Sequence, residues 1–140
     1  MSTESAMTFY DQWSSRMTKA KASAPEAADG FKALHVAVMR EGTLSVREKE
    51  LIAAGIAMAL RCDACVLSHV QKALQVGATR AQVLEAAGVV VMMQGGPGYT
   101  YLPKLTEALD ALEAREEARE VRAAGGKSRP AEVTLNNGTK

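Results

Sequence analysis

Two capping boxes fix where helices begin in this chain. Ser45-Val46-Arg47-Glu48 and Thr79-Arg80-Ala81-Gln82 each set a hydroxyl residue three positions before Glu or Gln. The hydroxyl accepts from the backbone amide of the third helical residue, and the longer side chain reaches back to the cap amide. The first box opens a helix through Leu51, Ile52, Ile56 and Leu60 with alanines between, polar only from Arg47 to Glu50 and so expected to be buried on most sides. The second opens a helix through Val83, Leu84, Ala87, Val90 and Val91 to about Met93, ended by Gln94-Gly95-Gly96-Pro97-Gly98. Between them, Cys62 to Val76 repeats its apolar residues at helical spacing and closes on Gly77 as a left-handed cap.

Upstream, Ala27, Phe31, Leu34 and Val38 mark a helix over Glu26–Arg40, preceded by Pro25 and ended by Glu41-Gly42; Trp13 and Met17 suggest a shorter one before it. Downstream, Leu102, Leu105, Leu109 and Leu112 form a stripe, and polarity rises from Glu113 to Arg122, where the last helix should leave the body as a solvated face. No stretch alternates as a strand does. The expected fold is all-α, with about six helices: an N-terminal segment over 1–25, a helical domain over 26–124, and a tail over 125–140 that is disordered or weakly docked. The Gly-Gly-Pro-Gly run lacks the lysine and the strand of a phosphate loop and reads as a plain turn between helices.

Composition limits the partners. A chain of 140 residues suits one domain, and its formal charge of +1 offers no basic field for nucleic acid. No run approaches the roughly 18 apolar residues of a membrane span, and the N-terminus has no basic stretch followed by an apolar one, so a cytoplasmic protein is expected. Aromatic residues make up only 4% of a chain rich in alanine, leaving few large side chains to close a monomeric core. A homo-oligomer is therefore expected, in which the apolar surface around Met92 and Met93 is covered; taken singly, those methionines read as core filler.

The two cysteines stand three apart and cannot link distant parts of the chain, so in a reducing compartment they read as redox-active or metal-binding. On one helix Cys62, Cys65 and His69 fall within about 60° of one another, and the i, i+3 spacing of the cysteines permits a disulfide. Near a helix N-terminus the unpaired amides and the helix dipole lower a thiol pKa toward neutrality, and the thiolate is the nucleophile of peroxide reduction and thiol exchange. His69 is the i, i+4 neighbour of Cys65, which favours Cys65 as the attacking thiol. Glu50 would lie about 18 Å from Cys62 on a continuous helix. If the chain instead reverses at Arg61-Cys62-Asp63, Glu50 and His69 are offset by only ~5 Å on antiparallel helices, and the carboxylate meets the imidazole. Carboxylate, imidazole and thiol together make an orienter, base and nucleophile. Two other readings stand beside this: a pair of small buried hydrophobes, and a metal site using Cys62, Cys65 and His69 with Glu50 as fourth ligand. His35 has no acidic or cysteine neighbour in sequence and reads as a surface or core residue.

The segment Leu44–Ala53, then Cys62-Asp63-Ala64-Cys65 with His69, then Gly77-Ala78-Thr79 and Gly95-Gly96-Pro97, resembles the alkylhydroperoxidase D branch of the carboxymuconolactone decarboxylase superfamily. The likeness covers roughly residues 26 to 112. It implies an all-helical fold assembling as trimers or hexamers, and a peroxidase cycling between dithiol and disulfide. It further implies that Cys65 attacks the hydroperoxide, Cys62 resolves the sulfenic acid, Glu50 and His69 relay the proton, and an unnamed dithiol donor restores the thiols. No cofactor beyond the Cys62–Cys65 disulfide is implied. Family members often carry a second histidine just before the inner cysteine, where this chain has Ala64. A redox-sensing or disulfide-exchange module is the alternative use of the same cysteines, and lactone decarboxylation fits less well because that branch generally lacks the pair.

Overall fold

The structure, a computed structural model, describes residues 3–125. Six helices follow one another: α1 (Thr3–Ser23), α2 (Pro25–Met39), α3 (Val46–Ala59), α4 (Asp63–Gln75), α5 (Arg80–Gln94) and α6 (Gly96–Gly125). Among the described residues there is no strand. The tail expected to be disordered lies outside the described residues.

Both capping boxes form as the residue types dictate. Ser45 Oγ accepts from the Glu48 amide at 3.2 Å while Glu48 Oε2 accepts from the Ser45 amide at 2.6 Å. Thr79 Oγ1 and Gln82 repeat the exchange at 3.2 and 3.0 Å. The Ser45 hydroxyl and amide together hold the Glu48 carboxyl below its ordinary range. α3 ends at Leu60, and Arg61, at φ 55°, turns the chain through the left-handed region so that α4 runs back along α3.

The core lies among α3, α4, α5 and α6. Met58, Val66, Val70, Val83, Leu105 and Leu109 are its largest fully buried side chains, with Ala54, Ala73, Ala87 and Ala108 between them. Those alanines let the helix backbones approach closely, and Gly98 does so most sharply: a Cβ there would lie 3.0 Å from the Val90 carbonyl oxygen. Arg80 fastens the start of α5 to α6 through Asp110 at 2.8 Å and Glu113 at 2.6 Å. Beyond Glu113, α6 is exposed.

Three sequence expectations need correction. The N-terminal helix is not short, since α1 runs for 21 residues and packs against α6, α2 and α4. α3, expected to be buried on most sides, leaves Ile52 51% and Ile56 54% exposed. Met92 and Met93 are not core filler either, at 70% and 74% exposed. The cause is common to the last two: helical spacing identifies an apolar face, and here α3 and α5 carry apolar residues on sides that no other described helix covers. Leu60, just beyond α3, is 73% exposed, and α2 buries none of its residues.

Leu109 is fully buried and joins α6 to the rest of the core. Leu109→Ala should lower the unfolding free energy by about 2–5 kcal/mol, through lost burial and the cavity left behind. Urea titration followed by circular dichroism reads this directly, and a loss below about 1 kcal/mol would contradict the packing described.

Candidate functional site

The site is built where α3 and α4 run past each other. Cys62 is the N-cap residue of α4 and makes no side-chain capping bond, so its sulfur is left for other chemistry. Cys65 lies in the first turn. The two sulfurs are bonded to each other, across a Cα–Cα separation of 5.2 Å. One turn beyond Cys65, His69 Nδ1 lies 2.7 Å from Glu50 Oε2.

Glu50 is 3% exposed and is the buried charged residue among the described residues. A carboxylate taken out of water needs a close polar partner, and His69 supplies it. With Nδ1–H donating to Glu50, the remaining ring nitrogen Nε2 is an acceptor, and the carboxylate fixes both tautomer and orientation. The reversal at Arg61 thus brings Glu50 to the imidazole rather than to the sulfurs, as the turn position implied. Among the described residues no three His, Cys, Asp or Glu side chains converge as a metal ligand set.

Two further groups lie beside this arrangement. His35, read from sequence as a surface or core residue, is part-buried on α2, with its Nε2 3.2 Å from Lys72 Nζ on α4 and within electrostatic reach of Glu50 and His69. Burial, and then the Lys72 ammonium, hold the His35 pKa below its ordinary value, so at neutral pH it is an uncharged acceptor. The signal available in sequence was only that Lys72 follows His69 by three residues on the same helix, and nothing local connected either to position 35. Asp63, between the cysteines, accepts from the Tyr101 hydroxyl and lies 3.8 Å from Lys104 Nζ, tying the start of α4 to α6. Burial and the Asp63 carboxylate push the Tyr101 pKa up, so the phenol stays a donor.

α2 is docked against the start of α3 by Lys49, whose ammonium donates to the Val38 carbonyl at 2.9 Å and to the Arg40 carbonyl at 2.7 Å. These belong to the C-terminal end of α2, where carbonyls lack helical partners and a cation is favoured. The next residue is Glu50. The lysine that anchors α2 therefore stands beside the carboxylate that holds His69.

The family model for the carboxymuconolactone decarboxylase family matches residues 25–114. A curated protein of Cupriavidus necator, itself uncharacterized, is 40% identical over 90 residues, covering 64% of this chain and 80% of its own length. Among solved structures, a carboxymuconolactone decarboxylase family protein of Legionella pneumophila superposes with a TM-score of 0.71 at 33% identity, over 79% of this chain and 96% of that one. Another family member, from Thermotoga maritima and suggested to be involved in antioxidative response, gives a TM-score of 0.63 at 28% identity, over 83% and 94%. The match spans the helices that carry the dithiol and its carboxylate–imidazole pair, and the chain belongs to the carboxymuconolactone decarboxylase family, with features consistent with its alkylhydroperoxidase D-like branch.

Proposed function

We propose that this protein is a cytoplasmic thiol peroxidase that reduces organic hydroperoxides by cycling Cys62 and Cys65 between dithiol and disulfide. One observation carries the reading: a bonded cysteine pair at the start of α4 shares that helix with an imidazole held at 2.7 Å by a buried carboxylate. Packing alone does not call for such a set, and nucleophilic catalysis does. The suggested antioxidative role of the Thermotoga relative agrees with it.

In the reduced protein, Nε2 of His69 takes the Cys65 thiol proton, and the thiolate attacks one peroxide oxygen. The S–O bond forms as the O–O bond breaks, and the departing alkoxide takes the proton back from His69, leaving an alcohol and a Cys65 sulfenic acid. The Cys62 thiol then displaces water from that sulfur and closes the disulfide. The peroxide has gained two electrons and the two thiols have lost them. A dithiol donor returns the electrons and two protons by exchange. Glu50 touches neither substrate nor sulfur in this scheme and acts as a positioning residue for His69.

Glu50→Gln should slow disulfide formation by an organic hydroperoxide about 10- to 100-fold, while diamide still closes the disulfide at the wild-type rate. Stopped-flow measurement of both reactions checks this. An unchanged peroxide rate would remove Glu50 from the scheme.

The two thiols should have separate signatures under one equivalent of hydroperoxide. Cys62→Ser accumulates a sulfenic or over-oxidised Cys65 and yields one alcohol, whereas Cys65→Ser reacts far more slowly at Cys62. Peptide mass spectrometry assigns the modified residue, and an undiminished rate in Cys65→Ser would exchange the roles. Oxidation of wild type without repeated turnover in the presence of a dithiol reductant would favour a redox sensor over an enzyme.

We further propose that the working unit is a homo-oligomer, a trimer or hexamer, which covers the outward apolar faces of α3 and α5. An apolar groove between α3 and α5, lined by Ile52, Ile56, Val89 and Met93, remains open in the single chain. Contiguous surface of this kind marks an interface. Light scattering at micromolar concentration should give a multiple of 14.9 kDa, and a monomeric mass would refute it.

A further inference from the structure

A half-open cavity of roughly 600 Å³ lies between α1, α2 and α4, a size within the range of small-molecule sites. Its α4 wall is the stripe Ala64, Ser68 and Lys72. At 100° and 1.5 Å per residue this stripe borders that of Cys65 and His69: Ser68 is the i+3 neighbour of Cys65, and Lys72 is the i+3 neighbour of His69, about 20° from Cys65 around the helix and about 10 Å farther along it. The facing walls include Trp13 and Met17 of α1 and Phe31 of α2. Opposite α4 the cavity thus offers large apolar side chains, interspersed with Lys21, Asp29 and Lys32.

Its charge is lopsided. Lys21, Lys32 and Lys72 line it against Asp29 alone, and His35 adds an imidazole that burial and Lys72 keep neutral. Among the described residues the bond recorded for the Lys72 ammonium is to His35 Nε2, with no carboxylate paired to it. An ammonium that spends one donor on a ring nitrogen has two further donor positions. A monoanion completes such a site. A phosphate dianion would want a guanidinium fork or a backbone nest, and no arginine lines this cavity.

We propose that this cavity binds an amphipathic organic acid, with its carboxylate on Lys72 and its apolar chain between Trp13, Met17 and Phe31. On the peroxidase reading above, on which this last step rests, the acid is the hydroperoxide substrate itself. A carboxylate-bearing alkyl hydroperoxide is then preferred over an uncharged one of the same length.

Trp13 is the chain's single tryptophan and lines the cavity, so its emission reports occupancy without any turnover. Decanoate and decanol are titrated into the oxidised full-length protein. The expected result is a saturable change in emission, with the acid bound at least about tenfold more tightly than the alcohol, the scale of one charge-assisted hydrogen bond. Lys72→Met should bring the acid-to-alcohol ratio close to one, and Lys72→Arg should keep the preference, which separates loss of charge from loss of fold. Equal affinity for acid and alcohol in the wild type, absence of saturation, or a preference that survives Lys72→Met would each overturn the site. Oxidation of the reduced protein by hydrogen peroxide, with no acid present, reads the peroxidase separately. Decanoate binding without such oxidation would keep the cavity assignment and refute the peroxidase; oxidation without binding would do the reverse.

Discussion

The geometry of the site depends on one buried carboxylate. Removing an ionised group from water costs several kcal/mol, and the cost is offset only by close, well-directed partners. Glu50 meets that requirement through His69, and the 2.7 Å bond demands a particular register between two helices of different sequence. The left-handed turn at Arg61 and the capping box at Ser45 set that register from its two ends. A shift of one residue in either helix would turn the carboxylate or the imidazole about 100° away. The interaction that aims the imidazole is thus also one that the α3–α4 packing must satisfy.

Small side chains permit this arrangement and explain its outer surface. Ala54 and Ala57 of α3, Ala73 of α4 and Ala87 of α5 are buried, so the four core helices approach one another closely around few large residues. Close approach saves volume but covers little area. Phe31, Ile56, Leu60, Met92 and Met93 are left on the outside, and they fall on three different helices. Such a distribution is poor economy for a monomer and good material for contacts between copies.

What the sequence disclosed follows the same division between local and distant causes. Capping boxes act within four residues, and both were readable as written. The Glu50–His69 contact was also legible, although the residues are 19 apart, because a polar Arg61-Cys62-Asp63 step interrupts two apolar helical runs and simple rise arithmetic aligns what lies on either side. The orientation of α2 was not legible in this way. Phe31, Leu34 and Val38 have the spacing of a core stripe, and periodicity reports that a face is apolar without reporting what covers it. The length of α1 escaped for another reason: its stretch is rich in Ser, Thr and Lys, and an isolated helix of that composition is stabilised chiefly by the helices it packs against.

His35 has a partner that its own segment does not disclose. Sequence neighbours were the wrong place to look for its partners, since the group it bonds lies 37 residues away. The link runs through Lys49. By donating to the carbonyls of Val38 and Arg40, that lysine pins the end of α2 against the first turn of α3. His35 stands one turn before Val38, and Glu50 is the residue after Lys49, so fixing the one backbone contact delivers an imidazole from α2 to the edge of the carboxylate pair. Ala64 shares a cavity wall with Lys72, the residue His35 bonds. A larger side chain at position 64 would take up space in that cavity, whereas alanine leaves it open, with His35 and Lys72 at its polar end. The surroundings of the Cys62–Cys65 disulfide therefore depend on how α2 is anchored as well as on the sequence of α4.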